Sequence, residues 1–169
     1  MFARAHPNSD VKKLEKLQAI TRLTMIRMRD IVWNMKPHGK IWGQLIERLQ
    51  DQANQSLDLN NIDVELKLSG INRDDQLSAD ICKHFYLIGK EAITNISKHS
   101  NANQLELWFE KNANQFEMTI KDNGTNQFIK DISAKGIGLQ NMNERAEDLG
   151  AKLKFISNKG FMVMLQIAL

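Results

Sequence analysis

Apolar residues recur along this chain with two periods, and the changes from one to the other divide it into segments. Between Asp10 and Met35, the positions Leu14, Leu17, Thr21, Thr24, Met28, Ile31 and Met35 step alternately by three and four, a heptad seam. Ile20, Met25 and Val32 widen that seam toward the face of a bundle helix. No second helix in this region covers it, so the pattern predicts packing in a homodimeric bundle, with a helix laid across its own domain as the alternative. Lys36-Pro37-His38-Gly39 stops the helix, because proline lacks an amide donor and restricts the residue before it. A second helix is expected from about Lys40 to Ser56, burying Ile41, Leu45, Ile46 and Leu49. The period then shortens to two: Ile62, Val64, Leu66 and Leu68 alternate with Asp63, Glu65 and Lys67, as in a half-buried strand.

A central helix follows from about Ser78 to His99, with Phe85, Ile88, Ala92 and Ile96 as its apolar stripe. Leu105, Leu107 and Phe109, then Phe116, Met118 and Ile120, predict two strands joined across Asn112-Ala113-Asn114. The second of these runs into Asp122-Asn123-Gly124. From Thr125 to Lys135 there is no period, which suggests a mobile loop. Gly136-Ile137-Gly138-Leu139 opens a helix expected from about Gln140 to Leu149 and stopped by Gly150. Lys152 to Ser157 and Phe161 to Leu169 read as a hairpin turning at Asn158-Lys159-Gly160. The order α-β-α-β-β-α-β-β predicts an α+β fold, a layer of helices on one face of a mixed or antiparallel sheet. The domain boundary is placed near Pro37, dividing 1–37 from 38–169.

Composition narrows the function classes. The chain has 169 residues, 42% of them hydrophobic, enough for one core plus an appendage. Its formal charge of +3 is spread along the chain rather than gathered in a stripe, which argues against a nucleic-acid partner. The single cysteine, Cys82, excludes an intramolecular disulfide and reads as an ordinary residue of a helix start. No apolar run reaches the 18 or so residues of a membrane helix, and Met1 to Pro7 lacks the apolar core of a signal peptide. A cytoplasmic location is expected for this stretch, with any membrane anchor of a longer protein lying upstream.

Three short motifs carry candidate chemistry. Glu91, Asn95 and Lys98 are spaced i, i+4, i+7 and share one helix face, bringing together an acid, an amide and an ammonium. An acid can orient a nucleophile, an amide oxygen can ligate a hard cation, and an ammonium can meet phosphate. The other reading of that face is an ordinary solvated helix surface. Asp122-Asn123-Gly124 puts a carboxylate at a strand end beside a glycine, where it can accept from an exocyclic amine such as that of adenine; an ordinary turn has the same sequence. Gly136-Ile137-Gly138-Leu139 puts bare amides and a positive dipole end at a helix start, which suits phosphate. Each motif alone is weak. Their order, each at the end of a suitable element, points to nucleotide chemistry.

Taken together these stretches resemble the ATP-binding catalytic domain of sensor histidine kinases, within the wider gyrase/chaperone/histidine-kinase/MutL ATPase superfamily. Phe85 to His99 resembles the N box, Asp122-Asn123-Gly124 the first glycine box, and Gly136 to Ala146 the second. The forms Glu91-Ala92-Ile93-Thr94-Asn95-Ile96-Ser97-Lys98-His99 and Gly138-Leu139-Gln140-Asn141-Met142-Asn143-Glu144-Arg145-Ala146 resemble the nitrate-sensor-like subfamily. Met28 to Pro37 is similar to the end of the second helix of that subfamily's dimerisation hairpin. The resemblance implies a two-layer α/β sandwich of the Bergerat type that binds Mg-ATP under a lid spanning Thr125 to Lys135. It implies that Asn95 holds Mg²⁺ and Asp122 takes the adenine amino group, with Gly124 in the same ATP-binding site. Lys98 and His99 would lie near the phosphates, Gly136 and Gly138 would supply the lid hinge and phosphate amides, and Ile137 and Leu139 would belong to the same ATP-binding site. Glu91 occupies the position of the general base in the ATP-hydrolysing relatives. The implied partners are ATP, a response-regulator receiver domain and a second copy of the chain.

Two departures from the pattern qualify these expectations. Asn126 stands where the first glycine box usually has its second glycine. None of His6, His38, His84 and His99 has the helical, acidic context of a phosphoacceptor histidine. The chain is therefore expected to be the C-terminal piece of a longer kinase, able to bind ATP and unable to phosphorylate itself. The rival readings are a stand-alone protein-serine kinase of the same superfamily and a degenerate, non-catalytic dimerisation or interaction module.

Overall fold

A computed structural model describes residues 40–58, 61–125, 136–157 and 159–169, together with Val11, Lys13, Leu14, Leu17, Gln18, Ile20, Thr21, Thr24, Met25 and Met28. Contacts group the chain into two compact units, Met1–His38 and Gly39–Leu169. In the first unit all ten described positions are helical. The apolar side chains of Val11, Leu14, Leu17, Ile20, Met25 and Met28 are exposed. Thr21 and Thr24 donate their hydroxyls to the carbonyls of Leu17 and Ile20, at 2.9 and 2.8 Å, so they add methyl groups rather than free polar atoms to the seam. The expected continuation of this helix to Met35, its stop at Pro37, and His6 and His38 lie outside the described residues.

The second unit runs β1 (Lys40–Ile41), α1 (Trp42–Leu57), β2 (Asp63–Ser69), β3 (Gln76–Leu77), α2 (Ala79–His99), β4 (Gln104–Lys111), β5 (Gln115–Asp122), α3 (Ile137–Asp148), β6 (Lys152–Ser157) and β7 (Phe161–Ala168). Five strands form one sheet in the order β2-β4-β5-β7-β6. β2 lies parallel to β4, with α2 inside the crossover between them, and the remaining pairs are antiparallel. The sheet is therefore mixed. The expected order of helices and strands holds, with one addition: β1 pairs antiparallel with β3 through Lys40↔Leu77 and Ile41↔Gln76. Two-residue strands are too short to show a period, so no sequence pattern announces them.

Alternation decides which face of the sheet is buried. Leu105, Leu107 and Phe109 of β4, Phe116, Met118 and Ile120 of β5, and Val163, Leu165 and Ile167 of β7 all face the core. The helices meet them with Trp42, Leu45, Ile46 and Leu49 of α1, and with Phe85, Ile88, Ala92, Ile93 and Ile96 of α2. Phe116 joins the layers: its ring lies 4.1 Å from Trp42, 4.8 Å from Phe85 and 6.4 Å from Phe109, centroid to centroid. Cys82 is buried in the first turn of α2 and forms no disulfide.

The N-terminus of α1 is docked rather than open. Trp42 and Gly43 donate their amides to the carbonyls of Asp75 and Arg73, at 3.2 and 2.8 Å. The opposite face of the sheet is polar along its β2 edge, where Lys67 pairs with Glu106 at 2.9 Å and Glu65 at 3.3 Å. The hydrogen bond to Glu106, then that to Glu65, raises the Lys67 pKa above its ordinary value. Its contribution to stability is thus complete below the unfolded-state pKa and disappears only as pH climbs past the raised one.

Phe116→Ala should remove about 3–5 kcal/mol of stability, since truncating a buried ring leaves a cavity that two helices and a sheet cannot all close. Urea unfolding monitored by tryptophan fluorescence would measure it. A loss below about 1 kcal/mol would mean that Phe116 is not the junction of the two layers.

Candidate active site

Asp122 is the last residue of β5 and is 2% exposed. A carboxylate withdrawn from water needs donors, and three reach it. Oδ1 accepts the Ser100 hydroxyl at 2.9 Å and the Gly124 amide at 2.6 Å, the latter closing an Asx turn. Oδ2 accepts the Phe161 amide at 3.0 Å. Three separate segments therefore converge on one side chain: the end of α2, the exit from β5 and the start of β7. A Cβ on Gly124 would lie 2.6 Å from Ser100 Oγ and 2.7 Å from Asp122 Oδ1. The glycine is thus required by the acid's own cradle.

Two further contacts complete the cradle. Gly160 has φ +99°, and a Cβ there would overlap the Asp122 carbonyl oxygen. The loop after α2 is laced to the β5 exit by asparagines. Asn101 accepts the Thr125 amide at 2.9 Å and donates to Thr125 Oγ1 at 3.0 Å. Asn123 Oδ1 accepts the amides of Asn103 and Gln104, both at 3.1 Å, and its amide group donates to Asn103 Oδ1 at 2.7 Å. Ser100, Asn101 and the Phe161 amide carry no motif in the sequence, and the Asn123 side chain has no role there beyond its place in Asp122-Asn123-Gly124. The short polar residues Ser100, Asn101 and Asn103, directly after an amphipathic helix, are the available signal.

A second cluster lies further back along α2. A Cβ on Gly138, in the first turn of α3, would overlap the Glu91 carboxylate. Glu91 thus sits at the positive end of the α3 dipole. α3 begins at Ile137, three residues earlier than expected, with Gly136 as its N-cap. First-turn amides have no intrahelical partner, so glycine there breaks nothing. The Leu139 amide is engaged by the Gly136 carbonyl at 3.0 Å. Among the described residues, nothing accepts from the amides of Ile137 and Gly138. Gly136 has no atom within 4 Å of where its Cβ would be, so no described contact demands a glycine there. Ile137 is 78% exposed. The far end of α3 closes as expected, with Gly150 at φ 67° and the Ala151 amide reaching the Ala146 carbonyl at 2.8 Å.

Asn95 lies between the clusters, half-buried one turn beyond Glu91, and neither side chain makes a hydrogen bond or ion pair among the described residues. At 1.5 Å per helical residue, Glu91 and Ser100 are separated by about 13 Å along the axis. The α2 face therefore runs from open α3 amides at one end to a buried acid at the other, with a free amide between them. Lys98 and His99 are exposed in the last turn, nearer the Asp122 end than the α3 end. The stretch expected to form a lid, including Asn126, lies outside the described residues. Among the described residues no three His, Cys, Asp or Glu side chains gather as a metal site, so a cation here would rely on few protein oxygens and on oxygens of its ligand. No described helix is long and apolar enough to cross a membrane.

No family model matches the chain. It is 23% identical over 157 residues to the sensor histidine kinase LiaS of Bacillus subtilis, covering 93% of this chain and 42% of LiaS. It is 27% identical over 150 residues to the sensor protein VraS of Staphylococcus epidermidis, covering 89% and 41%. The chain thus spans about two fifths of the length of these curated relatives. The blue-light activated histidine kinase of Erythrobacter litoralis shares its fold with a TM-score of 0.67 at 16% identity, over 98% of this chain and 63% of that one. The globular unit has the fold of histidine-kinase catalytic domains, and its sequence relatives include sensor histidine kinases.

Two glycine substitutions should separate the clusters. Gly160→Ala strains a left-handed residue against backbone and should lose about 1–3 kcal/mol in urea unfolding. Gly138→Ala pushes only on the flexible end of Glu91, and alanine favours the helix, so stability should stay within about 1 kcal/mol of wild type. Equal losses in both would contradict the placement of Glu91 against α3.

Proposed function

We propose that this chain is the ATP-binding catalytic region of a two-component sensor histidine kinase. It would transfer the γ-phosphate of ATP to a histidine outside this sequence, from which the receiver domain of a response regulator is phosphorylated. One observation carries the reading: a single helix face leads from open helix-start amides, past an unpartnered amide, to a buried carboxylate.

The residues fit a nucleotide laid along that face. Asp122 has one acceptor site left for the adenine amino group, since three of its four are filled. The Ile137 and Gly138 amides suit phosphate oxygens, and the Asn95 side-chain oxygen suits a hard cation carried by those phosphates. Mg²⁺ bound there would neutralise charge developing on the transferred phosphoryl group. Glu91 lies at the phosphate end and would orient the attacking group, while Lys98 adds positive charge and His99 a ring nitrogen from the rim of α2. Catalysis by such a site is positioning and charge neutralisation, with little covalent work for the protein.

The subfamily reading, nitrate-sensor-like, rests on the residue runs 91–99 and 138–146. The first unit is read as the second helix of a dimerisation hairpin, pairing with a second copy of the chain. Its exposed Leu14, Leu17, Ile20, Met25 and Met28 support that reading. A cytoplasmic location follows from the nucleotide and the receiver-domain partner.

Calorimetric titration of Mg-ATP into the chain, beside Asn95→Ala and Asp122→Ala, tests the proposal. Micromolar-range binding should weaken at least about tenfold in either variant, a change of about 1.4 kcal/mol. No binding to the folded wild type would refute the reading. Deleting residues 1–36 should leave one cooperative unfolding transition in the remainder; a chain without one would refute the two-part division.

A further inference from the structure

We propose that Ser100 determines base specificity, selecting adenine over guanine by filling one acceptor site of Asp122. The inference deepens the nucleotide-site reading and rests on it. Ser100 is the residue after α2, and its own amide is held by the Ile96 carbonyl at 2.9 Å. Its Oγ accepts the Ala102 amide at 3.0 Å, which orients the hydroxyl hydrogen onto Asp122 Oδ1 at 2.9 Å. The hydroxyl is fixed from both sides.

An ionised carboxylate has four acceptor sites, two on each oxygen. On Asp122 both Oδ1 sites are taken, by Ser100 and by Gly124, and one Oδ2 site is taken by Phe161. A single site remains, on Oδ2. Adenine offers the acid one amino hydrogen and can be satisfied there. Guanine offers two adjacent donors, its ring N–H and its amino group, which an open carboxylate takes side by side, one on each oxygen. With Oδ1 filled, that paired arrangement cannot form, and a guanine would bury an unpaired N–H. Sites that leave such a group unpaired reject the ligand by large factors. Of the three donors that fill the acid, Gly124 and Phe161 use backbone amides, which no substitution other than proline removes. Ser100 is the one side chain among them, so selectivity can be changed there.

The test is parallel calorimetric titration of Mg-ATP and Mg-GTP into wild type, Ser100→Ala, Ser100→Cys and Ser100→Thr. Wild type should prefer ATP by about tenfold or more. Ser100→Ala should narrow that preference by about tenfold, chiefly through tighter GTP binding, as Oδ1 becomes available. Ser100→Cys, a weak donor of similar size, should shift the ratio the same way and serves if the alanine variant unfolds. Ser100→Thr keeps the hydroxyl and should keep the wild-type ratio. If ATP binds but the ratio is unmoved in the alanine and cysteine variants, or both nucleotides weaken alike, the specificity role is wrong and the nucleotide site stands. If wild type binds neither nucleotide, both readings fall.

Discussion

A carboxylate removed from water imposes its requirements on everything around it, and Asp122 imposes them on three segments distant in sequence. Its donors come from the end of α2, from the turn just after β5 and from the start of β7. None of these segments can shift alone without leaving a buried lone pair unmatched. The glycines follow from the same requirement: one lets an amide close onto the acid, and another lets the β6–β7 turn pass against the acid's backbone. The geometry of this end of the site is thus set by electrostatic satisfaction inside the protein.

The other organising element is α2, which does two unrelated tasks on opposite faces. Its apolar stripe of Phe85, Ile88, Ala92 and Ile96 anchors it on the sheet, and Gly89 gives Leu49 and Ile120 room to meet it. Its polar face holds Glu91 and Asn95 at a fixed axial spacing. Burial on one side makes the other side rigid, because a helix held by its core cannot slide or rotate to follow a ligand. A site on such a support is positioned before anything binds, which lowers the entropy lost on binding.

Periodicity made most of this architecture legible. Helix and strand order followed from runs of 3.6 and 2, and Phe116, Met118 and Ile120 were identified as a core face from alternation alone. The pieces that escaped have physical reasons. β1 and β3 are held by tertiary pairing and have no pattern of their own. The start of α3 was set too late, because glycine counts as a breaker in a helix interior but not among first-turn amides. Asp122, Glu91 and Asn95 stood out because charged and amide side chains on an amphipathic helix or at a strand end are conspicuous. Ser100 did not stand out: a serine after a helix looks like any turn residue until the acid it serves is seen beside it.

Asn123-Gly124 is also a chemical weak point, since an asparagine followed by glycine is prone to cyclise and lose its amide nitrogen. That reaction needs the glycine nitrogen to swing onto the asparagine side-chain carbon. Here the glycine N–H is tied to Asp122 Oδ1 at 2.6 Å, while the Asn123 amide is tied to Asn103 and Gln104. Nucleophile and electrophile are held apart by the network that holds the acid. The fold thereby shields its own backbone from ageing at this dipeptide, and deamidation at 123 becomes a record of time spent unfolded. Peptide mapping after long incubation would read that clock, and fast deamidation of the fully folded protein would show the shield to be absent.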